Sequence, residues 1–258
     1  MVGSGPAQKI WRIIFPVILY EFFTMLYPEL LGIALGEKMS DPALAMWLLT
    51  VENLLMLPVF WLLYQRDRRK RRREASFAGK DVFYVVLGSI CISTGINYFL
   101  AITFLPELFP GYRAASEEIY YCSLLSQLAA AVVSAPLLEE VLVRGLVYER
   151  LKEAVGKPKM AMIVSALIFG LFHGNVVQGV YAFVMGLFFV QVYEVCGSLS
   201  LAVLAHIVAN AASVLAGQQS WTGKLSGNPG AYYLITAGSL LAGMLCWRYF
   251  WRRSGERG

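Results

Sequence analysis

Charged side chains and histidines are both scarce in this sequence. Only 15% of its 258 residues are charged, 58% are hydrophobic, the mean hydropathy is +0.59, and two residues are histidine. Soluble globular domains carry about 25% charged residues, so this balance excludes that class. We therefore predict an all-α, polytopic membrane protein built as a single domain over residues 1–258. Nucleic acid is not expected as a partner, because no soluble basic domain accompanies the hydrophobic segments.

Cysteine-pair motifs and the motifs of several protease classes are missing. The four cysteines fall inside apolar segments with no Cys-x-x-Cys pair, which indicates small core residues and neither disulfides nor a zinc site. There is no His-Glu-x-x-His, as an intramembrane zinc protease requires, and no Gly-x-Ser of the rhomboid serine type. The only aspartates, Asp41, Asp67 and Asp81, lie outside the centres of the hydrophobic runs, which disfavours an aspartyl dyad.

Hydrophobic runs of about 20 residues, the length that crosses a bilayer as a helix, are abundant. We predict eight spans, at approximately 13–35, 43–64, 82–105, 119–148, 160–175, 177–196, 199–217 and 231–250. No cleavage site follows the first run, so we expect a retained helix and not a signal peptide.

A basic run fixes the predicted topology. From Arg66 to Arg73, seven of eight residues are basic, and such a run stays on the cytoplasmic side of a membrane. We expect it to contact anionic membrane lipids. With eight spans both termini are cytoplasmic, and 18 of the 22 Lys and Arg residues fall on that side against 3 on the other. The predicted location is multi-pass in the cell membrane.

Charge interrupts the fourth predicted span. Glu139, Glu140 and Arg144 lie within six residues, and each charge at mid-bilayer costs about 2.5–3.5 kcal/mol on insertion scales. Glu140 and Arg144 are four residues apart, so they share a helical face and can pair. Glu139 lies about 100° round the helix, without that partner. Pro136 lacks an N–H and should loosen the turn, which favours a hydrated cavity with one neutralised carboxylate and one free to act.

Both histidines also lie in apolar stretches. His173 falls in the fifth predicted span, and His206 falls in the seventh, with Asn210 four residues later on the same face. A lone buried histidine is usually structural, but here both accompany the only Glu-Glu pair inside a span and the only arginine that lies away from a span's end. As an alternative, Glu139, His173 and His206 could hold zinc with an open water position.

Three motifs carry a resemblance to a known family. They are Glu139-Glu140-x-x-x-Arg144, Phe169-x-x-x-His173 and His206-x-x-x-Asn210. In the same order, they resemble the motifs of the CPBP family of intramembrane proteases, which comprises CAAX proteases and bacteriocin-processing proteins (the Abi family). This family includes the Ras-converting type II CAAX prenyl endopeptidase. The motif-bearing core covers about 118–217.

The resemblance implies an eight-helix bundle and a role for each motif residue. Glu139 is then the general base, Glu140 pairs with Arg144, His173 assists at the water, and His206 with Asn210 stabilises the oxyanion. The implied substrate is a peptide or a prenylated protein at the membrane, and no cofactor is expected. Proteins of this type have been described both as glutamate proteases and as metalloproteases, so zinc stays an alternative.

Two other functions remain to be weighed. The chain could be a non-catalytic scaffold that binds partner membrane proteins, although the intact motifs count against this hypothesis. It could also be a proton-coupled transporter that uses its acidic residues, but no inverted repeat or pair of broken helices is apparent in the sequence.

Overall fold

A computed structural model describes residues 5–71, 74–103, 105–109, 111, 122–218 and 228–255. The structure is 89% helical, and these described residues contain no strand, which confirms the all-α class. Within these ranges the bundle has eight helices: α1 (Pro6–Leu35), α2 (Pro42–Arg68), α3 (Gly79–Ala101), α4 (124–155), α5 (Pro158–Leu171), α6 (Val176–Cys196), α7 (Leu199–Gln218) and α8 (Pro229–Gly255). Two short helical segments, Gly36–Ser40 and Leu105–Leu108, follow α1 and α3.

Six helices of the described chain are long and apolar enough to cross a membrane. They are α1, α2, α3, α6, α7 and α8, and each overlaps a predicted span, with α1 beginning at Pro6 and not at residue 13. The other two predicted spans correspond to α4, which carries the buried charges, and to α5, which has 14 residues. The total of eight spans and the cytoplasmic position of both termini therefore stay predictions.

The fifth predicted span ends earlier than expected. Helix α5 stops at Leu171, and His173 follows in a turn, whereas the hydrophobic run predicted helix through 175. Gly174 adopts φ +69°, a left-handed conformation that glycine reaches without strain and that ends a helix. His173 is therefore held by a helix terminus and not by a regular turn of helix.

Helix α4 changes type along its length. Two π-helical segments, Leu128–Ser134 and Val141–Tyr148, flank the α-helical Ala135–Glu140, with α-helical Leu124–Gln127 and Glu149–Val155 at the ends. π-Helical segments are rare and occur frequently at functional sites, because the wider turn redirects side chains. The two glutamates thus end an α-helical stretch immediately before the second π-helical segment.

Pro136 accounts for one feature of the first π-helical segment. There the N–H of Ala135 donates to the carbonyl of Ala130, five residues earlier, so the carbonyl of Ala131 would need the N–H that Pro136 lacks. Asn210 of α7 supplies a donor instead, with its Nδ2 2.8 Å from the Ala131 oxygen. The helix before Pro136 is therefore wider than an α-helix, as the proline predicts, and the hydrogen bond from Asn210 connects it to α7.

Helix α4 lies at the centre of the bundle. Every residue of Val141–Tyr148 is buried, and the segment packs against α1, α2, α5, α6 and α7. The outer helices instead expose large apolar side chains, such as Met25 at 71% and Ile33 at 85%. Apolar side chains on the outer surface, around a central helix that carries the buried charges, are typical of a helix bundle surrounded by lipid.

Helices α3 and α8 approach each other closely through small residues. A Cβ added at Gly243 of α8 would lie 2.6 Å from Ile92 Cγ1 and 3.1 Å from the Ile92 backbone nitrogen. Glycine at such a contact lets two helix backbones approach closely, which is a common source of helix association within membranes.

We expect Gly243→Ala to lower the stability of the protein by about 1–3 kcal/mol, because the added methyl group forces α3 and α8 apart. The matched control is Gly238→Ala in the same helix, where a Cβ meets nothing within 4 Å. Thermal unfolding in detergent should show a lower midpoint for the first variant only. Equal midpoints for the two variants would mean that this contact does not limit the packing.

Candidate active site

The site is built around a buried ion pair on α4. Arg144 Nη1 donates to Glu140 Oε1 at 2.7 Å, and both side chains are 0% exposed. Arg144 Nη2 donates to the carbonyl of Gly186 on α6 at 3.1 Å. The guanidinium carbon lies 4.5 Å from the ring centroid of Phe169 and 5.3 Å from that of Phe189. The structure thus contains the ion pair that the four-residue spacing predicts. The Gly186 carbonyl and two aromatic rings also contact its guanidinium.

His206 of α7 joins this pair. Its Nδ1 lies 2.9 Å from Glu140 Oε1, the oxygen that also accepts from Arg144. A carboxylate only accepts hydrogen bonds, so Nδ1 carries the proton and the ring orientation is fixed. The ring of Phe189 stacks on the imidazole with centroids 4.8 Å apart. The other ring nitrogen, Nε2, is therefore aimed away from Glu140.

Glu139 has a different environment from its neighbour. Its side chain is 18% exposed, and its carboxylate makes no hydrogen bond within the described part of the chain. Oε2 lies 3.8 Å from Nε2 of His206, a separation longer than a hydrogen bond. The structure therefore brings Glu139, Glu140, Arg144 and His206 together, with Glu139 as the accessible carboxylate of the group.

His173 and Asn210 lie at the edges of the group. His173 Nδ1 donates to the carbonyl of Phe169 at 2.9 Å, which leaves Nε2 with a lone pair in the neutral imidazole. The Phe169 ring lies edge-to-face with both histidines, at 5.0 Å from His173 and 5.5 Å from His206. Phe169 therefore separates the two imidazoles. Asn210 uses one N–H for the Ala131 carbonyl and has a second N–H available.

The side chains do not form an evident metal centre. Zinc was an alternative for Glu139, His173 and His206, but no group of three or more His, Cys, Asp or Glu residues within the described ranges could hold a metal ion. Each histidine commits its Nδ1, to Glu140 or to a backbone carbonyl, which leaves Nε2 as the nitrogen that a metal would need. The described side chains are not grouped as a ligand set, and zinc at these residues stays an alternative prediction.

Several residues of the site were missed by the sequence reasoning. Gly186 is one: a Cβ there would lie 3.0 Å from Phe169 Cδ1 and 3.3 Å from Arg144 Nη2, so the guanidinium needs a glycine beside it. Phe189, three residues later, stacks on His206. Tyr20 of α1 interacts electrostatically with Glu139. None of these three carries a charge or a motif that would distinguish it from other residues of an apolar helix.

The three motifs all lie in the part of the chain that matches a known family. Residues 121–212 match the family model described as type II CAAX prenyl endopeptidase Rce1-like. The match covers α4, α5, α6 and most of α7, and it leaves α1, α2, α3 and α8 outside. Comparisons with curated proteins and with solved structures gave no match.

Removal of the guanidinium should be costly. We expect Arg144→Ala to destabilise the protein by about 3–5 kcal/mol, because it leaves the Glu140 carboxylate buried and without its counter-charge. The control is Lys152→Ala, which breaks a pair with Glu194 in which the side chains are 30% and 22% exposed, and should cost about 0–1 kcal/mol. Thermal unfolding in detergent measures both. Similar losses in the two variants would show that burial of the Arg144 pair is not what stabilises this region.

Proposed function

We propose that this chain is an intramembrane endopeptidase of the glutamate type, because residues 121–212 match the Rce1-like type II CAAX prenyl endopeptidase family model. The family is one of proteases, and the apolar helices make the chain a multi-pass integral membrane protein. The proposed reaction is hydrolysis of a peptide bond in a membrane-associated or lipidated substrate. The observation that carries it is the contrast between Glu140, which is fully buried and bonded to Arg144, and Glu139, which is 18% exposed and makes no hydrogen bond with the described residues.

Glu139 is the proposed general base. A carboxylate that accepts no hydrogen bond from the protein is free to accept one from water, and its 18% exposure gives water a route to it. Glu139 removes a proton from this water, and the water oxygen attacks the carbonyl carbon of the scissile bond. The proton then passes from the Glu139 carboxyl group to the leaving nitrogen, so that the carboxylate is restored when the bond breaks.

His173 has the tautomer that an assisting base requires. Its Nδ1–H is fixed by the Phe169 carbonyl, so Nε2 can accept a hydrogen bond from the attacking water. Its position at the end of α5, across Phe169 from His206, places it at the border of the buried group. We assign His173 to the water and not to the oxyanion, because the protein already fixes its donor.

His206 and Asn210 are the proposed oxyanion donors. Glu140 and Arg144 position the imidazole, and in its imidazolium form Nε2–H can donate to the oxygen that becomes negative. Asn210 contributes the N–H that the Ala131 carbonyl does not use. Preorganised donors in surroundings of low dielectric constant stabilise such an oxygen strongly, since they do not reorganise during the reaction.

The substrate class follows from the family description. A type II CAAX prenyl endopeptidase acts on a prenylated C-terminal peptide, and this substrate is the one we favour for the chain. A bacteriocin or pheromone precursor and a leader peptide are the other members of the class. All of them present an extended peptide at a membrane surface.

Cleavage of a fluorogenic prenylated CAAX peptide by purified protein tests the proposal. We expect Glu139→Gln to slow cleavage by about 10²–10⁴-fold, because the amide cannot accept the proton. His173→Ala and His206→Ala should slow it as well, whereas Glu29→Gln, an exposed glutamate of α1, should leave the rate unchanged. If all three site variants cleaved as fast as the wild type, the mechanism would be wrong. No turnover by the wild type, together with unchanged retention of partner proteins, would favour a scaffold.

A chelator separates the glutamate mechanism from a zinc mechanism. We expect 1,10-phenanthroline to leave the cleavage rate unchanged and the purified active protein to contain far less than one metal ion per chain. The physical reason is that the described Glu139, His173 and His206 do not form a ligand set. Loss of activity that is restored by added zinc would instead support a metalloprotease.

A further inference from the structure

A cavity lies beside α4, the helix that carries Glu139. It has a volume of about 720 Å³, within the range of small-molecule sites, and it opens between α2, α4 and the start of α7. Part of its wall comes from residues 57–75, outside the segment that matches the protease family. None of the six proposed catalytic residues lines it.

The cavity faces away from the general base. Leu137 and Val141 of α4 line it, and they are four residues apart on one helical face. Glu139 is two residues from each, which places its side chain about 200° round the helix. An occupant of this cavity therefore contacts the opposite face of the helix from the one that carries the accessible carboxylate. On α7, the wall ends at Val203, about one turn before His206.

The walls combine apolar, basic and hydroxyl side chains. Leu57, Trp61, Leu199 and Val203 form apolar wall, and the Trp61 side chain is 41% exposed. The lining also contains two arginines and two serines: Arg68, Arg71, Ser198 and Ser200. An apolar cavity that also carries an exposed cation, here Arg68, matches a molecule with a hydrocarbon chain and an anionic group.

Arg68 has donors to offer, whereas Arg71 is committed within the protein. The Arg68 side chain is exposed and makes no hydrogen bond or ion pair with the described residues. Arg71 donates from Nε to Glu153 at 2.7 Å and from Nη1 to the Gly145 carbonyl at 3.3 Å, and its buried Nη2 lies 3.7 Å from Asp67. The one carboxylate in the wall, Glu149, lies 3.8 Å from Arg71 Nε, so its charge is offset.

We propose that this cavity binds an anionic phospholipid, with an acyl chain between α2 and α7 and the phosphate at Arg68. Basic pockets between transmembrane helices are known to hold lipid headgroups of this kind. Charge complementarity favours this occupant over a zwitterionic lipid, and the orientation of Glu139 disfavours the scissile region of a substrate. The site is independent of proteolysis, because none of its residues has a role in the reaction.

Lipid retention by the full chain tests the site. Native mass spectrometry would be recorded for the detergent-purified protein with phosphatidylglycerol or phosphatidylcholine of identical acyl chains. We expect the wild type to retain phosphatidylglycerol preferentially, and Arg68→Gln to weaken its retention about fivefold, which corresponds to about 1 kcal/mol. Arg68→Lys, which keeps the charge, should retain most of the preference. The matched control is Arg69→Gln, the exposed neighbour that does not line the cavity.

A second variant tests the apolar wall. Val203→Trp should fill the cavity and lower retention of both lipids, with the thermal midpoint reporting whether the variant is folded. Equal retention of the two lipids by the wild type would overturn the proposal, and so would equal losses in Arg68→Gln and Arg69→Gln. Displacement of the lipid by inorganic phosphate alone would reduce the site to an anion site. Displacement by the prenylated peptide would assign the cavity to the substrate instead.

Discussion

The buried ion pair between Arg144 and Glu140 is the interaction on which the central part of the structure depends. Charges removed from water lose their hydration, and their attraction compensates for this loss only when their remaining donors and acceptors are also satisfied. Arg144 meets part of this requirement through the Gly186 carbonyl and the faces of two aromatic rings. Its Nε and the Oε2 atom of Glu140 are buried and have no hydrogen-bond partner among the described residues. The pair therefore does more than neutralise α4, because it ties α4 to α6 and requires glycine at 186.

A single carboxylate oxygen connects three helices. Oε1 of Glu140 accepts from Arg144 on the same helix and from His206 on α7, while Arg144 reaches α6. Such shared charge-assisted hydrogen bonds fix the geometry more tightly than separate pairs, since movement of one partner weakens the contact with the others. The Asn210 contact with Ala131 adds a second link between α4 and α7, two turns from the first. Rigid placement of His206 follows from both links.

The sequence predicted the helices and the local pair, because both depend on short-range rules. Hydrophobic length gave the spans, and four-residue spacing gave Glu140 with Arg144. Contacts between distant segments were beyond these rules: the bond from His206 to Glu140 joins residues 66 positions apart, and Gly186 and Phe189 look like any residue of an apolar helix. The end of α5 at Leu171 was missed because hydropathy continues past it, while the backbone turns at Gly174.

Adjacent carboxylates acquire different chemistry here because a helix turns by about 100° per residue. Glu140 lies on a fully buried face of α4 and is 0% exposed, whereas its neighbour Glu139 lies on a different face and is 18% exposed. The aromatic surroundings of the ion pair occupy a further face of the same helix, and Leu137 and Val141 line the cavity on another. Glu139 and this cavity therefore lie on different faces of α4, which separates the accessible carboxylate from whatever fills the cavity.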